Sequence, residues 1–102
     1  MRVASLEDIQ EGRPFLVTLE DYDIALYKVK DSFFATDDLC SHAEASLCEG
    51  EQRGFTIECP RHGGSFDIRS GKATHFPAFS PIQTYPVKVE DGALFIELDD
   101  DD

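Results

Sequence analysis

Four residues of this chain have the types and spacing to hold a metal: Cys40 and His42, then sixteen residues, then Cys59 and His62. Two thiolates and two imidazoles admit two kinds of centre. Tetrahedral zinc accepts a Cys2His2 set, but its usual spacings group like with like, as C-x(2–4)-C followed by H-x(3–5)-H. Here each cysteine is followed closely by a histidine, as C-x-H and then C-x2-H. A two-iron cluster suits that alternation, because each loop can then give one ligand to each iron, thiolates to one and imidazoles to the other. Two thiolates neutralise an oxidised [2Fe–2S] core, whereas four would leave it anionic. An electron enters the neutral centre more easily, so mixed ligation raises the potential. Zinc stands as the second reading of the same four residues.

Two short loops must face each other to bring these pairs together, and β-type sequence surrounds them. Residues 14–19, 24–29 and 33–36 are β-branched and aromatic runs separated by the acidic turn 20–23 and the polar break 30–32, which suggests an antiparallel meander. Residues 55–58 run as a strand straight into Cys59, and 65–69 form another that the turn signal Ser70-Gly71 closes. Residues 75–81 make a proline- and aromatic-rich loop. The clearest hairpin pairs 85–89 with 93–98 across Glu90-Asp91-Gly92. One helical turn is expected between Ser5, as its cap, and Gly12, as its end. The class is all-β, a small sandwich or partly open barrel in one domain spanning residues 1–102. Gly63 and Gly64, lacking Cβ atoms, tolerate positive φ and let backbone N–H groups approach cluster sulfides.

Length and charge narrow the class. A chain of 102 residues builds one modest core. No apolar run approaches a membrane span and no signal-peptide pattern opens the chain, so a soluble cytoplasmic protein is expected. The net charge is −12, and without the acidic tail Asp99 to Asp102 it is still −8. That disfavours nucleic acid, which needs clustered Lys and Arg, and suits steering toward a protein with a basic patch. Three cysteines in a reducing compartment point to metal or redox use. Cys48 matches no ligand position and is read as a small apolar side chain or an exposed thiol, and His75 as a surface-loop residue.

The pattern C-x-H-x16-C-x2-H, the run from Cys59 to Asp67 and the Gly71 turn resemble the Rieske family. The likeness extends to Ala25-Leu26-Tyr27, Ala35-Thr36-Asp37, Glu49-Gly50 and 84–89, which look like the Rieske-type ferredoxin components of bacterial ring-hydroxylating dioxygenases of the naphthalene and biphenyl kind. The resemblance implies stacked antiparallel sheets with a two-loop cluster-binding tip. It also implies one [2Fe–2S] cluster, with Cys40 and Cys59 on one iron and His42 and His62 on the outer iron. A proline-bearing loop closes over the cluster in that family, and Pro77 stands in the matching segment 76–81. Respiratory Rieske proteins carry a loop disulfide and Ser and Tyr hydroxyls near the cluster. The matching positions here are Ala45, Arg61, Gly64 and Phe66, so the bridge and both hydroxyls are missing. Fewer donors and an acidic body imply a potential at the low end of the Rieske range, roughly −150 mV.

The implied role is a monomeric one-electron carrier. It takes electrons from a flavin-dependent NAD(P)H:ferredoxin reductase and passes them to the Rieske centre of a terminal aromatic-ring oxygenase. No catalytic residue is assigned, since the chain shows neither a two-histidine, one-carboxylate iron set nor a nucleotide fingerprint, and no enzyme activity of its own is expected. Two other readings are a Rieske-like small subunit of a nitrite reductase or another hydroxylase, and a Cys2His2 zinc-stabilised interaction domain.

Overall fold

A computed structural model of the chain describes residues 2–19, 23–40, 45–61, 63–75 and 80–97. The tail 99–102 and Pro77 lie outside these residues. The described strands build three antiparallel sheets. The first has the order β1–β11–β10, from Arg2–Ser5, Ala93–Ile96 and Val87–Glu90. The second runs β2–β3–β4–β9, from Phe15–Thr18, Asp23–Val29, Ser32–Asp37 and Thr84–Tyr85. The third runs β5–β6–β7–β8, from Glu51–Arg53, Thr56–Glu58, Ser65–Asp67 and Ala73–His75. Among the described residues no helix is long and apolar enough to cross a membrane.

Strand β3 explains how the sheets stack. Its apolar residues run without alternation, as in a strand covered on both faces, and successive side chains point opposite ways. Ile24 and Leu26 enter one core with Ala4, Val17, Leu94 and Ile96, against the first sheet. Ala25, Tyr27 and Val29 enter a second core with Ile57, Phe66 and Ile68, against the third sheet. The expected meander is therefore the middle layer, and the cysteine-bearing sheet lies on its far face.

Several expectations change in detail. Tyr85 pairs with Ala35 in the second sheet, because Pro86 breaks the run and Val87 starts the hairpin strand in the first. His75 pairs with Ser65 at the end of β8 and is exposed, so it is an edge-strand residue rather than part of a loop. The N-terminal turn spans only Leu6–Asp8. Ser5 N–H donates to the Asp8 carboxylate (3.0 Å), and Ile9 already ends the turn, while Gly12 takes φ +83° in a separate turn closed between Gln10 and Arg13. The Asp91-Gly92 turn has φ of 51° and 76°, the left-handed pair that a tight hairpin needs.

Candidate metal centre

Cys40 opens a loop that leaves the end of β4. Leu39 and Ser46 form an isolated bridge, and Cys40 N–H donates to the Ala45 carbonyl (3.0 Å), so the loop closes over six residues. Its return limb is a short 3-10 turn, Leu47–Glu49, in which Gly50 N–H donates to the Leu47 carbonyl (2.9 Å). Leu47 is fully buried and anchors this limb in the second core.

Cys59 opens a matching loop at the tip of the β6–β7 ladder, just beyond the pair Glu58 and Ser65. Cys59 N–H donates to the Gly64 carbonyl (2.7 Å), closing six residues again. Inside it, Gly63 takes φ +80°, a conformation that costs glycine nothing. The Gly63 N–H donates to the Cys59 carbonyl (3.1 Å). The Gly63 N–H is thus engaged within the loop itself. Gly64 is buried.

The two loops share one floor. Cys40 and Cys59 are 2% and 1% exposed, and both belong to the core of Leu47, Ile57, Phe66 and Ile82. Neither is in a disulfide. Their roots also touch closely at Gly50. A Cβ there would run into the carbonyl of Glu58, the residue before Cys59, so only glycine lets the two limbs come this near. Two buried, disulfide-free thiols delivered by two loops of equal span fit the soft half of an iron–sulfur ligand set. His42 and His62, which the sequence supplies as the other half, lie outside the described residues. An open cleft of about 320 Å³ flanks the second loop, lined by Glu49, Glu51, Glu58, Cys59 and Pro60. On the surface beside the thiols, Leu39 is 60% exposed and Pro60 and Arg61 are exposed.

Polar residues under the first loop gave no signal in the sequence. Asp38 is 4% exposed and accepts the Cys48 N–H on its side chain (2.9 Å). The Cys48 thiol bonds the same side chain. Burial first, and that bond second, push the thiol's pKa up, so Cys48 packs half-buried against the second core rather than standing as an exposed thiol. Nearby, the buried Tyr27 hydroxyl pairs with Thr36 Oγ1 (2.9 Å), and burial holds it far above the usual phenol range. Phe66, fully buried, supplies no hydroxyl, as the sequence implies.

Comparison with known proteins agrees with this geometry. Residues 1–86 match the family model of the Rieske [2Fe–2S] domain. The chain is 43% identical over 98 residues to the ferredoxin component of the naphthalene 1,2-dioxygenase system of Pseudomonas putida, covering 96% of this chain and 94% of that protein. The structure of a Sphingomonas yanoikuyae B1 ferredoxin superposes with TM-score 0.92 at 44% identity, over 96% of this chain and 97% of that one. A solved complex of reduced oxygenase and oxidised ferredoxin in carbazole 1,9a-dioxygenase contains a chain that matches with TM-score 0.90 at 36% identity, over 94% of this chain and 90% of that one.

Proposed function

The chain belongs to the Rieske [2Fe–2S] domain family, and on that footing we propose that it carries single electrons to a terminal ring-hydroxylating oxygenase. Its cofactor is one Rieske-type [2Fe–2S] cluster, which takes the place of the zinc reading, and the protein is an electron-transfer component rather than an enzyme. Cys40 and Cys59 bind one iron; His42 and His62 bind the other. The observation that carries this assignment is the pair of buried, disulfide-free thiols on two six-residue loops over one apolar floor.

When bound, the cluster supplies one-electron uptake and release. The chain's residues do the rest. Both cysteines would hold iron as thiolates, and their burial among Leu47, Ile57 and Phe66 keeps water from the sulfur side. The absence of a hydroxyl at Phe66 and of a loop disulfide supports a potential low in the Rieske range. Exposed Leu39, Pro60 and Arg61 border the loops, where a partner must come close for transfer. Transient redox interfaces of this kind are small. The acidic body favours a partner with a basic face. Its likeness to ferredoxin components of dioxygenase systems supports an oxygenase as acceptor, and a flavin-dependent NAD(P)H:ferredoxin reductase is the matching donor.

Mixing the cluster-loaded protein with such a reductase and NADH, then with an oxidised ring-hydroxylating oxygenase, tests this reading. Rapid reduction followed by reoxidation is expected, both slowing as salt is raised. A protein that the reductase reduces but no such oxygenase reoxidises contradicts it.

A further inference from the structure

Asp38 is a buried acid at the root of the first loop, two residues before Cys40. Burying an ionisable group is costly unless it is paired or hydrogen-bonded, and among the described residues no Lys or Arg lies within ion-pair distance of it. Among the described residues its bonds join the loop to the middle sheet. Its N–H donates to the Asp23 carbonyl (3.1 Å), fastening it to the start of β3. Its carbonyl accepts the Leu47 N–H (2.7 Å), and its side chain accepts the Cys48 N–H (2.9 Å) and the Cys48 thiol. One residue thus ties the outgoing limb, the returning limb and the middle sheet together.

We propose that Asp38 is a positioning residue of the cluster site, which locks the Cys40 loop in register. The inference rests on the cluster assignment above. A loop held in register presents Cys40 in one geometry, and hydrogen bonds just outside a ligand set hold the metal in place. A residue that only stabilised the fold would leave retention of the cluster in the folded protein where it was.

The test follows release of iron to a chelator from the folded, cluster-loaded protein, from Asp38→Ala, which removes the acceptor of the Cys48 N–H, and from Asp38→Asn, which keeps an acceptor oxygen. Release is expected to be about tenfold faster in Asp38→Ala and restored toward the wild-type rate in Asp38→Asn. A folded, loaded Asp38→Ala that releases iron at the wild-type rate overturns the inference while leaving the cluster assignment intact. A wild-type protein that takes up no iron or sulfide overturns both. Hydrogen exchange on the wild type tests the clamp without any substitution. The Leu47 and Cys48 amides are expected to exchange at least 100-fold more slowly than unprotected amides, and exchange at the unprotected rate removes the positioning role.

Discussion

The loops that carry Cys40 and Cys59 have the same span and the same closing bond, yet they are built differently. The Cys59 loop continues a regular ladder, Thr56 with Asp67, Ile57 with Phe66 and Glu58 with Ser65, so backbone pairing delivers its cysteine and Gly63 makes the turn. The Cys40 loop has one isolated bridge beneath it, Leu39 with Ser46, and relies on the Asp38 side chain and a short 3-10 turn. A hairpin tolerates varied side chains as long as its ladder and glycine remain. A loop held by a side chain depends on that one residue. The first loop should therefore be sensitive at its root and the second at its turn.

Exchanging either thiol tests what the loops share, and it has the largest effect. Cys40→Ser and Cys59→Ser are each expected to abolish cluster uptake, read as iron and acid-labile sulfide content. A variant with native content of both would break the equivalence of the two loops.

Next comes the point where their roots meet. Gly50→Ala places a methyl on the Glu58 carbonyl and is expected to cost about 1–3 kcal/mol by urea unfolding, with weaker cluster retention. The contrast between the loops then shows in two single changes. Asp38→Ala strands the buried Cys48 N–H and should cost about 1–3 kcal/mol. Gly63→Ala forces a side chain into a left-handed conformation and should cost about 1–2 kcal/mol, its Cβ otherwise meeting only the Glu58 carboxylate at ordinary contact distance. Faster exchange should follow at Leu47 and Cys48 in the first case, and at Cys59 in the second. Identical exchange patterns in both variants would contradict the division of labour drawn here.

The smallest effect is electrostatic. The Arg69 side chain bonds Asp67 at the outer end of the second loop's ladder (2.9 Å) and holds that carboxyl below its usual range. A lowered folded-state pKa adds stability above the unfolded value, near 3.9, and that stability is lost as pH falls through the folded value. Arg69→Ala should therefore lower stability slightly at neutral pH, and the part owed to Asp67 should disappear once Asp67 is protonated in both proteins, leaving only the lost contact of Arg69 over the Phe55 ring (4.1 Å), as read by urea unfolding at the two pH values.

The sequence displayed the parts of this structure that depend on residue type and spacing. The two Cys-His pairs, the meander and the Asp91-Gly92 hairpin are of that kind. Strand β5 escaped notice because Glu51-Gln52-Arg53 is polar with only Gln52 turned inward, and β8 because three residues beside a proline-rich run look like loop. Tyr85 reads as part of the hairpin in the sequence, but Pro86 divides two sheets. Asp38 was invisible for a more general reason. An acid next to Asp37 in an acidic chain reads as solvated, and only tertiary packing shows that it is buried beneath the cysteine loop. The thiol floor had the same history, since Leu47, Ile57, Phe66 and Ile82 are far apart in sequence and meet only when the third sheet closes on β3.

The central claim is that these two loops jointly hold a cluster whose irons are unlike, one on Cys40 and Cys59, the other on His42 and His62. The Mössbauer spectrum of the oxidised, iron-57-labelled protein tests it most directly. Two quadrupole doublets of equal area with distinct isomer shifts are predicted; a single doublet from equivalent irons would contradict the account.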